Sequence, residues 1–213
     1  FPIIHPQNHN LYKTISPILF MKYLFILGRN PELSIGELKA VFPNAEIIKK
    51  ENAVLLNTEF LPENLINRLG GTISIGKVLC KADENEIEKQ ELYFGASNKL
   101  NYVLWNFSSE NNYKKISLYL KKRFKQEKLK ATEKNLNGIM KLQSGKTAEI
   151  LSPSQIINEE FFVFEDYFGK IIQKTNYKEI EKRDMSKPFR RSELSISPRL
   201  AKIIINLSKI KEN

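Results

Sequence analysis

Gly145-Lys146-Thr147, inside the stretch QSGKTAE at 143–149, has the ending of a phosphate-binding loop. In such a loop a glycine five residues earlier lets the backbone wrap a phosphate. Met140 stands at that place and Gly138 is out of register. No buried strand runs into the segment, so Lys146 reads as one more surface cation. Other catalytic types are sparse. Both histidines, His5 and His9, lie within the first twenty residues, which leaves no Ser/His/Asp or Cys/His set. Cys80 is the single cysteine, so an internal disulfide and a cysteine-rich zinc site are excluded. It reads as a small apolar residue at a strand end. There is no G-x-G-x-x-G, and no pair of carboxylates shares an evident pocket. The sequence therefore offers a binding surface rather than an active site.

The surface is concentrated in NNYKKISLYLKKRFKQEKLK, residues 111–130. Ile116, Leu120 and Phe124, spaced by four, predict the inner stripe of a helix. Lys114, Lys115, Lys121, Lys122, Arg123, Lys125, Lys128 and Lys130 load the remainder, against the single acid Glu127. A solvated helix interleaves both signs so that residues four apart attract. Here like charges accumulate, and a polyanion relieves the repulsion. Nucleic acid, a plain solvated face and an anionic membrane surface all remain open at this point. The apolar stripe is narrow and is needed for the core, which speaks against the membrane.

The cations are unevenly placed in a chain of 213 residues with net charge +10. Residues 21–91 hold 9 Lys+Arg against 11 Asp+Glu, whereas residues 92–213 hold 24 against 13. Such asymmetry points to a polyanion partner for the second part. With 41% hydrophobic and 27% charged residues the chain is globular. No apolar run approaches the roughly 18–20 residues of a membrane span. One cysteine and no processing signal fit a reducing cytoplasm. Residues 1–20 start with Phe, hold three prolines and show no lasting periodicity. They read as a disordered or non-native leader, with Met21 as the true start.

The elements that must position this surface follow from pattern. KYLFIL at 22–27 reads as a buried strand. Ser34 with Glu37 three residues on reads as a capping box opening a helix that Pro43 closes. AEIIKK and AVLLNT make two strands about a turn at Glu51-Asn52. A second helix is expected from Pro62, carrying Leu65, Ile66 and Leu69 and stopped by Gly70-Gly71. TISIGKVL at 72–79 completes a βαββαβ order. Residues 82–91 are acidic and read as a linker. The second unit opens with the strand NYVLWNF at 101–107, in which Trp105 and Phe107 fill core. After the basic helix, a third helix starts at Ser152-Pro153 and carries Ile156 and Ile157. A hairpin follows, with strand 160–165, a turn at 166–169 and strand 170–175. Its aromatics Phe161, Phe162, Phe164 and Phe168 invite base stacking, although alternation turns two of them to the core. Ser197 and Pro198 begin a last helix. Leu200, Ile203, Ile204 and Leu207 give it a buried face that Ala201 and Ile205 widen.

The stretch EFFVFEDYFGKIIQKTNYKEIEKRDMSKPFRRSELSISPRLAKIIINLSK resembles the end of a THUMP domain. It also resembles the linker into the catalytic domain of archaeal and eukaryotic tRNA guanine-N2 methyltransferases. The matching pieces are Gly169, Arg183-Asp184, Pro188, Arg190-Arg191 and SPRLAKIIINL. YLFILGRNPELSIGELKAVF at 23–42 is similar to the family's N-terminal ferredoxin-like domain. The resemblance implies an α+β chain: a ferredoxin-like domain at 21–81, a THUMP α/β domain at 92–178, and at 179–213 a linker with the first helix of a methyltransferase domain.

In relatives the first two domains hold tRNA, and a Rossmann-like domain binds S-adenosylmethionine. That domain's Asp-Pro-Phe-Cys-Gly-type and Asp-Pro-Pro-Tyr-type loops are absent from this sequence. The expected function is therefore tRNA binding for a methyl transfer performed elsewhere, with no catalytic residue and no cofactor in this chain. The expected phosphate contacts are Lys114, Lys115, Lys121, Lys122, Arg123 and Lys125, then Lys182, Arg183, Lys187, Arg190, Arg191 and Arg199. The expected partners are tRNA and a methyltransferase domain or subunit packed on the helix at 198–210, with neither DNA nor membrane. Whether the chain counts as an enzyme stays open. A free-standing RNA-binding adaptor is the first alternative. A THUMP protein of thiolation, deamination or pseudouridine formation is the second, and a protein of the membrane surface the third.

Overall fold

The computed structural model describes residues 21–134, 157–187 and 195–208. Eight strands form one sheet in the order β2-β3-β1-β4-β8-β7-β5-β6. They are β1 (Met21–Leu27), β2 (Ile47–Lys50), β3 (Ala53–Thr58), β4 (Thr72–Lys81), β5 (Lys99–Phe107), β6 (Lys130–Glu133), β7 (Glu159–Phe164) and β8 (Tyr167–Lys174). The helices are α1 (Pro31–Val41), α2 (Glu84–Glu88), α3 (Glu110–Gln126), α4 (Tyr177–Met185) and α5 (Pro198–Ser208).

Strand alternation explains how the sheet is filled. Tyr23, Phe25 and Leu27 of β1 point to one face, where Ile35 and Leu38 of α1 close a core with Leu65 and Leu69. On the same face, Leu100, Tyr102 and Leu104 of β5 meet Ile116, Leu120 and Phe124 of α3. Leu24 and Ile26 point the other way, into a cluster with Leu55, Phe107, Phe162, Phe164 and Ile171. That cluster has no helix over it. The sheet curls so that β1 and β3 cover β5, β7 and β8, in keeping with the natural strand twist. The Lys50 ammonium meets the Glu165 carboxylate at 2.6 Å and ties the end of β2 to the β7–β8 turn.

The seam between the halves is the antiparallel pairing of β4 with β8. Here Phe162 lies across two glycines. A Cβ on Gly76 would stand 2.5 Å from its ring, and one on Gly169 would stand 2.3 Å from it. Gly169 is thus a strand residue, not part of the turn expected at 166–169. The hairpin turns at Glu165-Asp166, where Glu165 takes φ 48°. Phe161, Phe162, Phe164 and Phe168 are all buried, because β7 is covered on both faces, so none is left to stack on a base.

Three expectations fail in the first half. Helix α1 starts at Pro31, with the Asn30 side chain accepting from the Leu33 N–H at 3.2 Å. Ser34 and Glu37 are not its capping box; both lie buried against the Gly70-Gly71 turn. The second helix of the βαββαβ pattern is a single 3-10 turn at Leu65–Asn67. The stretch 82–91 is no plain linker, since it contains α2, whose Ile87 is buried under α3. The third helix at Ser152-Pro153, the QSGKTAE stretch and residues 1–20 lie outside the described residues.

Candidate nucleic-acid interface

Ser109 caps α3, its hydroxyl accepting from the Asn112 N–H at 3.3 Å. Lys128, at φ 59°, takes the left-handed conformation that stops the helix. Between these ends the 100° step per residue sorts the side chains. Ile116, Ser117, Leu120, Arg123 and Phe124 face the sheet. Lys114, Lys115, Lys121, Lys122 and Lys125 share one exposed arc, with Leu118 in its middle at 67% exposure. Lys114 reaches Glu110 at 3.3 Å and Lys121 reaches Glu133 at 2.9 Å. Lys115, Lys122 and Lys125 have no ion-pair partner among the described residues. Three of the five ammonium groups are thus without a counter-charge, and the arc keeps a net positive charge.

Arg123 does not belong to that arc. It is 7% exposed, and its donors are committed inward. Nη2 donates to the Gln90 carbonyl at 2.6 Å, Nη1 to the Ile87 carbonyl and Nε to the Glu127 carboxylate at 2.8 Å. The expected phosphate contact is instead a clamp that fastens α3 to the segment around α2. Its spacing carried the signal: Arg123 stands seven residues after Ile116 and three after Leu120, on the apolar stripe.

An open groove of about 820 Å³ runs beside the arc, between α3 and the β5 strand. Trp105, Tyr113, Lys114, Lys121, Glu133 and Lys134 line it. Trp105 is half-buried, stacked parallel on Phe107, and its indole N–H donates to Glu160 at 3.1 Å. Burial raises the Glu133 carboxyl, but hydrogen bonds from Lys121, Ser117 and Tyr113 outweigh it and hold the group below its usual value. Burial, with Glu133 as acceptor, pushes the Tyr113 phenol up to about 12. Glu133 is thus the centre of a polar network in the groove wall, which also carries Glu51 and Glu110. Burial also pushes the Cys80 thiol up to about 11, so it stays protonated and unreactive.

The second set of expected contacts sits on α4 and α5. Lys182 and Arg183 are exposed, and Arg183 pairs with Glu179 one turn back. Lys187 meets Asp184 at 2.7 Å and donates to the Ile196 carbonyl at 2.6 Å. Arg190 and Arg191 lie outside the described residues. Arg199 is turned inward: Nε donates to the Gly70 carbonyl at 2.7 Å, and the guanidinium lies over the Tyr177 ring. It docks α5 on the first half of the chain. The described candidates thus form two groups, five lysines on α3, and Lys182 and Arg183 on α4 with Lys187 just past its end, while Arg123 and Arg199 serve the fold.

Helix α5 also answers what its apolar face meets. Ile203 is buried against Gly70, and Leu207 touches α1 at Gly36. The Asn206 amide donates to Glu37 at 2.7 Å and to the Arg68 carbonyl at 3.0 Å. Glu37 is fully buried and also accepts from the Gly70 and Gly71 N–H groups at 2.8 Å each. The Gly70-Gly71 pair is needed for this approach, since a Cβ at Gly70 would stand 2.0 Å from the Arg199 carbonyl oxygen. Leu200, Ile204 and Ile205 stay exposed on the far side.

Among the described residues no group of three His, Cys, Asp or Glu side chains gathers to hold a metal. No described helix is long and apolar enough to cross a membrane.

No family model matches the chain, and no curated protein matches it. Among solved structures it is similar to a 4-thiouridine synthetase in complex with RNA and bound ATP, at TM-score 0.35 and 10% identity. The match covers 74% of this chain and 42% of that one, so the chain spans less than half the length of that synthetase.

Proposed function

We propose that this chain is the tRNA-holding part of an S-adenosylmethionine-dependent tRNA guanine-N2 methyltransferase of the THUMP type. The observation that carries RNA binding is the single arc of five lysines on α3, three of them without an ion-pair partner among the described residues. Five like charges on one side of a 17-residue helix repel, and a phosphate backbone removes that cost. Contacts of this kind fix register and shape rather than sequence. The choice of methyltransferase rests on the likeness of residues 160–209 to the family's THUMP end and linker. On that reading 21–81 is a ferredoxin-like domain, 92–178 the THUMP domain, and 179–213 the way into a cytoplasmic catalytic domain that binds the cofactor. Leu200, Ile204 and Ile205 are the surface that domain would cover.

A free-standing RNA-binding adaptor is the second reading. It is favoured by the way Arg199, Ile203 and Asn206 fasten α5 to the chain's own first half, with no other domain required.

The test is a titration of the full chain with tRNA at several salt concentrations. Each neutralised phosphate contributes about 0.7–0.9 to the slope of log K against log salt. Replacing Lys115, Lys122 and Lys125 together with Gln lowers that slope by about 2–3 and leaves thermal melting unchanged. Salt-independent affinity, or no binding at low salt, overturns RNA binding. The chain alone transfers no labelled methyl from S-adenosylmethionine; incorporation would place the chemistry here and overturn the holding role.

A further inference from the structure

Lys202 is a cation that no sequence pattern singles out. It stands on α5, half-buried, and has no hydrogen-bond or ion-pair partner among the described residues. Burial, then the nearby positive charge of Arg183 and of Arg199, holds its ammonium below the ordinary lysine value. Two carboxylates reach it with an opposing influence, Glu179 and Glu37. Both are already committed: Glu179 to Arg183, and Glu37 to the Gly70 and Gly71 N–H groups and the Asn206 amide. A half-buried ammonium beside two guanidinium groups, without an anion of its own, is an unbalanced arrangement.

Beside it opens a small pocket of about 90 Å³, lined by Asn67, Thr175, Asn176, Glu179, Arg183 and Lys202. Its mouth is rich in donors. The Asn176 side-chain oxygen accepts from the Glu179 N–H at 3.2 Å, which leaves the amide N–H groups free to donate. Lys202 and Arg183 add charged donors from α5 and α4. The space has room for a tetrahedral oxyanion.

We propose that this pocket binds one phosphate group, held by Lys202 and Arg183 with the Asn176 amide. The group is either a phosphodiester of a bound RNA or free inorganic phosphate. Only the RNA source rests on the function proposed above. Arg183 is shared with the surface expected from sequence; Lys202 and the pocket are not.

The experiment is thermal melting of the full chain in inorganic phosphate, against chloride at matched ionic strength. Phosphate should raise the melting temperature by a few degrees and saturate. Lys202→Gln should abolish the phosphate effect while melting no lower than the parent in chloride, since it removes an unpaired charge. Arg183→Gln, at an exposed position, should weaken the effect and serves as the second variant. A phosphate effect equal in the parent and Lys202→Gln, or one that never saturates, overturns the proposal. With tRNA, a salt slope lowered by about 0.7–0.9 in Lys202→Gln assigns the pocket to an RNA phosphate. An unchanged slope with saturable phosphate assigns it to the free ion. If the chain binds no tRNA yet phosphate still saturates, the function proposed above falls and the pocket stands.

Discussion

Helix α3 turns Ile116, Leu120 and Phe124 inward and five lysines outward. Helix α5 turns Arg199 and Asn206 inward, beside Ile203, and leaves Leu200, Ile204 and Ile205 outward. The contrast comes from what each helix lies on. Under the middle of α3 are the rings of Tyr102 and Phe161, apolar surfaces that Leu120 and Phe124 match. Under α5 is the Gly70-Gly71 turn, whose surface is backbone N–H and C=O. Bare backbone must be hydrogen-bonded when it is covered, so α5 and Glu37 supply polar partners there. The apolar residues are displaced to the far side, where Ile205 is 53% exposed. Helical periodicity therefore names an apolar face, but the neighbour decides which side is the inner one.

The largest effect expected from this contrast is in the core. Leu120→Ala on α3 should cost about 2–5 kcal/mol, read by denaturant unfolding, because Leu120 is fully buried. A loss under 1 kcal/mol would mean that α3 is not seated as described. Next comes the polar joint. Glu37→Ala strands two glycine N–H groups, each worth about 1–3 kcal/mol when buried without a partner, and leaves the Asn206 amide only the Arg68 carbonyl. Proteolysis should then clip the chain between α4 and α5 sooner than in the parent, whereas Leu120→Ala leaves that joint protected.

A smaller effect is set by pH. The folded-state value of Glu133 lies below its usual 4.5, so its ionised form is the stabilising one. That stability is fully present above pH 4.5 and drains away as the pH falls through the folded value. Glu133→Gln should flatten the loss of stability below pH 4.5 and change little near neutrality; an equally steep acid limb in the variant would remove Glu133 from the network. The smallest effect belongs to the outer side of α5. Ile204→Gln should shift stability by no more than about 0.5 kcal/mol, since nothing in the described structure covers that side chain. A loss of several kcal/mol would show that the side is not open.

Local pattern carried much of this architecture. The strands at 22–27, 53–58 and 72–79, the basic helix and the Ser197 cap of α5 all announced themselves through period and end signals. What escaped depends on partners distant in sequence. Ser34 and Glu37 satisfy the capping-box spacing, yet Asn30, with Pro31 after it, offers a cap four residues before Ser34, and the glycine turn drew the later pair inward. Gly70-Gly71 looked like a helix stop because close approach by α1 and α5 leaves no local trace. The acidic stretch 82–91 hid Ile87, whose burial requires α3. In the interface, the lysine arc was legible from helical spacing, and so was the misplacement of Arg123. Lys202 was not legible, since its charge matters only once α4 brings Arg183 beside it.

The ring of Phe162 resting on Gly76 and Gly169 has a mechanical side. Those two residues belong to the strands that join the halves of the sheet, and the ring lies against both. Bending there would have to lift an aromatic plate off its bed and open a void that no neighbouring side chain can refill. The strand pair that carries α3 on one side and the Gly70-Gly71 joint on the other is thus held at a fixed bend by a single ring.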